Sequence, residues 1–163
     1  MDAALDAVIG KVRQAAARAR PLRIRGGGSK DFYGQRLHGE LLDVRPLAGV
    51  VDYEPSELVV TVRAGTRLRE LQALLAERGQ CLPFEPPQFG VGSTIGGAVA
   101  AGLSGPARAS VGSLRDYVLG VQIVNGKGEL LTFGGQVMKN VAGYDVSRLM
   151  AGSLGTLGVI VQV

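Results

Sequence analysis

The segment PPQFGVGSTIGGAVAAGLSG, from Pro86 to Gly105, carries no charge and is broken too often by proline and glycine to form one ordinary helix or strand. A segment of this kind brings backbone into close approach with something. Its centre, Gly90-Val91-Gly92-Ser93-Thr94-Ile95-Gly96-Gly97, reads as a loop opening a short helix, with Ser93 at the N-cap and Ala98, Val99, Ala100 and Ala101 forming a tightly packing turn. First-turn N–H groups of a helix lack internal partners, and glycine puts no Cβ in the way. The loop is therefore expected to present free donors to an anion. The plainer reading is that these glycines let backbone cross backbone in a crowded interior.

A second glycine cluster lies far upstream, Arg25-Gly26-Gly27-Gly28-Ser29-Lys30, directly after an expected strand at Leu22-Arg23-Ile24. Two such nests in one small chain point to one long, bipartite anion such as the pyrophosphate of a dinucleotide. A third cluster, Gly152-Ser153-Leu154-Gly155-Thr156-Leu157-Gly158, precedes the last expected strand, Val159–Val163.

The 163 residues suffice for one or two small lobes with a buried core, and the 25 glycines exceed ordinary usage. The net charge of +4 is spread along the chain with acids interleaved, so no nucleic-acid footprint is visible. Cys81 is the only cysteine, which excludes an internal disulfide and a cysteine-held iron–sulfur cluster. His38 is the only histidine and sits in a polar stretch expected to be a solvated loop, and no metal site is expected. Asp2 and Asp6 stand where a secretory signal needs basic residues, which points to a cytoplasmic protein. Prolines and glycines disqualify the uncharged Pro86–Ala107 run as a membrane span.

In chain order, Asp2–Arg20 is expected to be an amphipathic helix burying Leu5, Val8, Ile9, Val12 and Ala16, with Pro21 as its stop. Strands are expected at Leu22–Arg25 and Glu40–Val44, and Val50–Glu54 and Leu58–Arg63 form a hairpin around Pro55-Ser56. Thr66 caps a helix with Leu68, Leu71, Leu74 and Leu75 on its buried stripe, ended by Gly79. Cys81–Phe84 is read as a strand, and Tyr117–Val124 and Glu129–Phe133 as a hairpin turning at Asn125-Gly126-Lys127-Gly128. Lys139-Asn140-Val141-Ala142-Gly143-Tyr144-Asp145 leads into a short helix capped by Asp145. A Walker A loop fails because Gly126-Lys127 is followed by Gly128, and the dinucleotide Gly-x-Gly-x-x-Gly spacing fails at Ile95.

Four stretches, ArgGlyGlyGlySer at 25–29, GlyValGlySerThrIleGlyGly at 90–97, LysAsnValAlaGlyTyrAsp at 139–145 and GlySerLeuGlyThrLeuGlyValIle at 152–160, together resemble the FAD-binding domain of the vanillyl-alcohol oxidase family, also called the p-cresol methylhydroxylase type. The likeness runs from about Pro21 to Val163, and is greatest to the branch of smaller FAD-binding subunits of bacterial glycolate oxidases. The resemblance implies an α+β fold of two α/β subdomains clasping FAD, about residues 1–84 and 85–163, without the cap domain that covers the flavin in relatives. It assigns the pyrophosphate to Arg25, Gly26, Gly27, Gly28 and Ser29. The pyrophosphate, ribityl and flavin region falls to Gly90, Gly92, Ser93, Thr94, Gly96 and Gly97, and the nucleotide edge to Gly158, Val159 and Ile160.

Members with covalent flavin often carry histidine where this chain has Ser29, so FAD is expected to be held non-covalently. Leu154 replaces a glutamate common in the larger-subunit branch, and no catalytic base is identified. The implied role is to hold FAD in a complex that oxidises a small 2-hydroxy acid such as glycolate. Its implied partners are a larger flavin subunit and an iron–sulfur subunit, with contact to the inner membrane only through them. A non-catalytic FAD-binding assembly subunit and, less favoured, a sugar-nucleotide reductase are the alternatives.

Overall fold

The computed structural model describes residues 2–136 and 143–163, so Lys139 and Asn140 lie outside the described residues. It is a mixed α and β fold. Helix α1, Ala3–Ala17, begins where the Asp2 carboxylate accepts hydrogen bonds from the N–H groups of Ala4 and Leu5, both at 3.2 Å. The helix stops three residues earlier than the sequence suggests, and Ala15 rather than Ala16 joins Val8 and Val12 in the core.

Strands β1 (Leu22–Arg25) and β2 (Glu40–Asp43) pair in parallel. The hairpin of β3 (Val50–Glu54) and β4 (Val59–Val62) turns through a 3-10 turn at Pro55–Glu57. Helix α2 spans Leu68–Ala76 and buries Leu68, Leu71 and Leu75. Its N-cap is Arg67 and not Thr66, because the Thr66 hydroxyl is spent on the Gly49 carbonyl at 3.1 Å.

Cys81–Phe84 is not a strand. Pro83 has no N–H for a ladder, and a turn instead closes with the Glu85 N–H on the Leu82 carbonyl at 3.2 Å. After α3 (Ile95–Ala101) comes an unanticipated short helix, α4 (Arg108–Val111). Tyr117 likewise belongs to a 3-10 turn, Leu114–Tyr117, rather than to a strand. The Asp116 carboxylate accepts from both the N–H and the hydroxyl of Ser113 at 2.8 Å, which fixes the chain in that turn. Strands β5 (Gly120–Val124), β6 (Leu130–Gly134) and β7 (Val159–Gln162) form a sheet in the order β6-β5-β7, with α5 (Val146–Met150) between β6 and β7.

This sheet separates two hydrophobic clusters. On β7, Val159 and Val161 join Val8, Val12, Leu42, Val44 and Leu47 on the α1 side, while Ile160 points to the other cluster with α2 and α3 side chains. Backbone bonds from Val62 N–H to Val163 O (2.8 Å) and from Ala64 N–H to Val161 O (3.0 Å) tie the end of β4 to β7. The α1 start is fastened to the same region by the Asp2–Arg63 ion pair. No described helix is long and apolar enough to cross a membrane.

Candidate functional site

A cleft of about 420 Å³, within the roughly 300–1,000 Å³ of small-molecule sites, opens where the three glycine clusters converge. One wall is β1 with the nest Gly26–Asp31, a second is Thr94, Gly96, Gly97, Ala100 and Ala101 at the start and face of α3, and a third is Leu154, Gly155, Thr156, Gly158 and Ile160. The loop carrying Tyr33, Gln35, Arg36, Leu37 and His38 borders the same space.

The first two nests meet by direct backbone contact. A Cβ on Gly27 would stand 1.6 Å from the Gly92 carbonyl oxygen, so no side chain fits at this crossing. A Cβ on Gly26 would meet Thr94 Oγ1 at 2.5 Å, and one on Gly96 would meet the Ala64 carbonyl at 2.8 Å. The plainer reading of these glycines therefore holds for part of the motif, since they let backbone cross backbone beside the cleft as well as lining it.

The available donors are divided unequally. At the start of α3, Ile95 N–H donates to Thr66 O at 2.9 Å, Gly96 N–H to Ala64 O at 2.8 Å and Gly97 N–H to Thr94 Oγ1 at 3.2 Å. The N-cap is Thr94, not Ser93. Ser93 is buried, its hydroxyl donating to the Gly90 carbonyl at 3.0 Å and sharing a hydrogen bond with Ser29 Oγ at 2.8 Å. The expectation of free helix-start donors in the central loop is thus corrected. In the upstream nest no carbonyl among the described residues accepts from the N–H groups of Gly27, Gly28 or Ser29, and the same holds for Gly90, Val91 and Gly92 ahead of α3.

Charge reinforces that end. Arg25 is engaged, its Nε donating to Asp31 at 2.9 Å, while Lys30 has no ion pair among the described residues. Burial holds the Lys30 ammonium below its usual range, and its Nζ lies 5.9 Å from the Phe89 ring centroid.

Of the residues expected at the site, Arg25, Gly26, Gly27, Gly28, Ser29, Thr94, Gly96, Gly97, Gly158 and Ile160 border this cleft. Gly92 borders a second space, with Gly27, Thr94, Arg45 and Arg67, on the other side of the nest contact. Gly90 is exposed, Ser93 acts as the clasp just described, and Val159 points into the α1-side core. Tyr144 is exposed, and Asp145 caps α5 by accepting from Arg148 N–H at 3.1 Å. Sequence reasoning placed Lys30 in the upstream nest without giving it a role, and missed Arg23 and the loop residues Tyr33, Gln35, Arg36, Leu37 and His38 as cleft lining.

The residues present fit a dinucleotide cofactor by three observations: the size of the cleft, the unused nest N–H groups beside Lys30, and a buried guanidinium nitrogen of Arg23 without a partner.

The chain is also similar in sequence to known proteins. The sequence profile of the FAD binding domain family matches residues 4–134. The chain is 52% identical over 158 residues to glycolate oxidase subunit GlcE of Escherichia coli, covering 97% of this chain and 45% of that protein. It is 32% identical over 124 residues to glycolate oxidase subunit GlcD of Bacillus subtilis, covering 76% of this chain and 26% of that one. It is 35% identical over 126 residues to D-2-hydroxyglutarate dehydrogenase of Xanthomonas citri pv. viticola, covering 77% and 26%. The chain thus spans less than half the length of each of these relatives.

Proposed function

We propose, for a chain that belongs to the FAD binding domain family, that it is the FAD-holding module of a flavin-dependent oxidoreductase complex acting on a small 2-hydroxy acid, glycolate in the first instance. The observation that carries this reading is the convergence of the glycine clusters on one cleft whose free N–H groups, at Gly27, Gly28 and Ser29, stand beside Lys30. The isoalloxazine supplies the redox chemistry when bound, and the protein's part is to bind and orient it. Gly27 to Ser29 and Lys30 hold the pyrophosphate, Thr94, Gly96 and Gly97 pack along the middle of the molecule, and Gly158 and Ile160 border the nucleotide end.

FAD is held non-covalently, because Ser29 offers a hydroxyl engaged with Ser93 where covalent members of the family carry histidine. The fold is read as two α/β subdomains meeting near residues 84–85. The partners are a larger flavin subunit and an iron–sulfur subunit, in the cytoplasm. The GlcE and GlcD names of two relatives support the oxidase assignment. The second reading, an assembly subunit whose FAD does not turn over, is separated from the first by anaerobic mixing of the FAD-loaded assembled complex with glycolate. Bleaching of two flavins per complex supports the catalytic reading, and bleaching of the larger subunit's flavin alone supports the assembly reading. Failure of the chain to bind FAD in a fluorescence titration overturns both.

A further inference from the structure

Arg23 Nε and Ser153 Oγ are buried without any hydrogen-bond partner, and of the two residues only Arg23 borders the cleft. Arg23 stands on β1, two residues before the nest. Its neighbours Leu22 and Ile24 pack against the α1-side cluster, and all four residues of β1 border the cleft.

Two neighbouring arginines are already committed, whereas Lys30 and Arg36 border the cleft with no ion pair among the described residues. Arg25 pairs with Asp31, and Arg45 grips Asp43 through its Nε at 2.9 Å and a terminal nitrogen at 2.7 Å. Asp31 is the only carboxylate bordering the cleft among the described residues, and Arg25 occupies it, so Arg23 has no internal counterion there. A guanidinium stays charged at every ordinary pH, so burial cannot be relieved by losing the proton. A buried donor left unmade destabilises the fold, and an acceptor arriving with a ligand removes that penalty. The group that borders the same cleft as the free nest N–H groups and suits a planar fork of donors is a phosphoryl oxygen pair.

We propose that Arg23 is a cofactor-binding residue, its guanidinium donating through Nε–H to the pyrophosphate of the bound dinucleotide. The inference rests on the FAD reading above and adds a side-chain anchor to the backbone cradle. It makes Arg23 responsible for affinity and costly to the empty protein, a combination that a structural arginine does not show.

The test is Arg23→Met, which keeps an apolar stem and removes the charge and donors. FAD affinity is measured by flavin fluorescence, and melting of the FAD-free protein by circular dichroism. The expected result is a Kd for FAD raised about tenfold or more, with the FAD-free protein melting at or above the wild-type temperature. A folded variant binding FAD within about twofold of wild type overturns the inference while leaving the FAD reading intact. Wild-type protein that binds no FAD overturns both. Should Arg23→Met fail to fold, arginine Nε–H resonances of the ¹⁵N-labelled wild type are followed instead, with the Arg23 peak assigned by its loss in Arg23→Lys. That peak is expected to shift on addition of FAD, and an unmoved peak at saturating FAD overturns the inference.

Discussion

The hydroxyls of Ser93 and Ser29 share a hydrogen bond of 2.8 Å, across 64 residues of sequence, which clasps the central loop to the upstream nest. Ser93 is only 1% exposed, so its loss cannot be made good by bulk water. Ser93→Ala is expected to destabilise the protein by about 1–2 kcal/mol, the usual consequence of orphaning buried polar partners. It should also weaken FAD binding by letting the nests separate. Thermal melting and an FAD titration of the same variant check this, and unchanged values in both would show that the clasp is idle.

Gly27 and Gly90, both expected to line the cofactor, differ in the space around them. A Cβ on Gly27 meets Gly92 backbone at 1.6 Å, whereas a Cβ on Gly90 meets only the Ser29 Cβ at 3.6 Å, an ordinary contact. Gly27→Ala should cost about 1–3 kcal/mol or more through overpacking, with FAD binding lost as the loop shifts. Gly90→Ala should stay within about 0.5 kcal/mol of wild type. Chemical denaturation of the two variants checks the contrast, and equal stability would contradict the close approach of the nests.

The part of this that was legible in the sequence is the part that glycine spells out. Clusters at 25–30, 90–97 and 152–158 announce close backbone approach or turns that favour glycine, and alternating apolar residues announce the hairpins. Which hydroxyl caps α3 was not legible, because Ser93 and Thr94 are adjacent and equally suited. The choice falls to Thr94 through the burial of Ser93 against Ser29. The sequence also gave no means of seeing that Thr66 and Ala64 carbonyls consume the N–H groups of Ile95 and Gly96, a partnership set by tertiary packing. Cys81–Phe84 misled because Leu82 and Phe84 alternate like a strand while Pro83 denies it a ladder. Arg23 passed unnoticed since a charged residue on a short strand reads as solvated until the burial of its Nε is seen.

Non-covalent binding has a simple consequence. Acid precipitation of the FAD-loaded protein should leave yellow flavin in the supernatant, since Ser29 offers no ring nitrogen for attachment. Flavin that stays in the washed pellet would contradict it.

Acid stability should depend on the start of α1. The Asp2 carboxyl is held below its ordinary value of 3.8, first by the hydrogen bond from Arg63 and then by the N–H of Leu5. A lowered folded value means that the contribution is present in full above the ordinary value and is lost as pH falls through the lowered one. Asp2→Asn keeps a capping oxygen but gives up the ion pair. Its melting temperature should therefore fall less between neutral pH and pH below 3.8 than that of wild type. Parallel curves for the two proteins would contradict the linkage.

The central claim is that FAD lies in the cleft with its pyrophosphate on the upstream nest. Amide hydrogen exchange with and without FAD tests it most directly, because the two nests start from different conditions. The N–H groups of Gly27, Gly28 and Ser29 are unpartnered and those of Ile95, Gly96 and Gly97 are already bonded. The account predicts strong new protection at 27–29 on FAD addition and little change at 95–97. Unaltered exchange at 27–29 with FAD bound would contradict it.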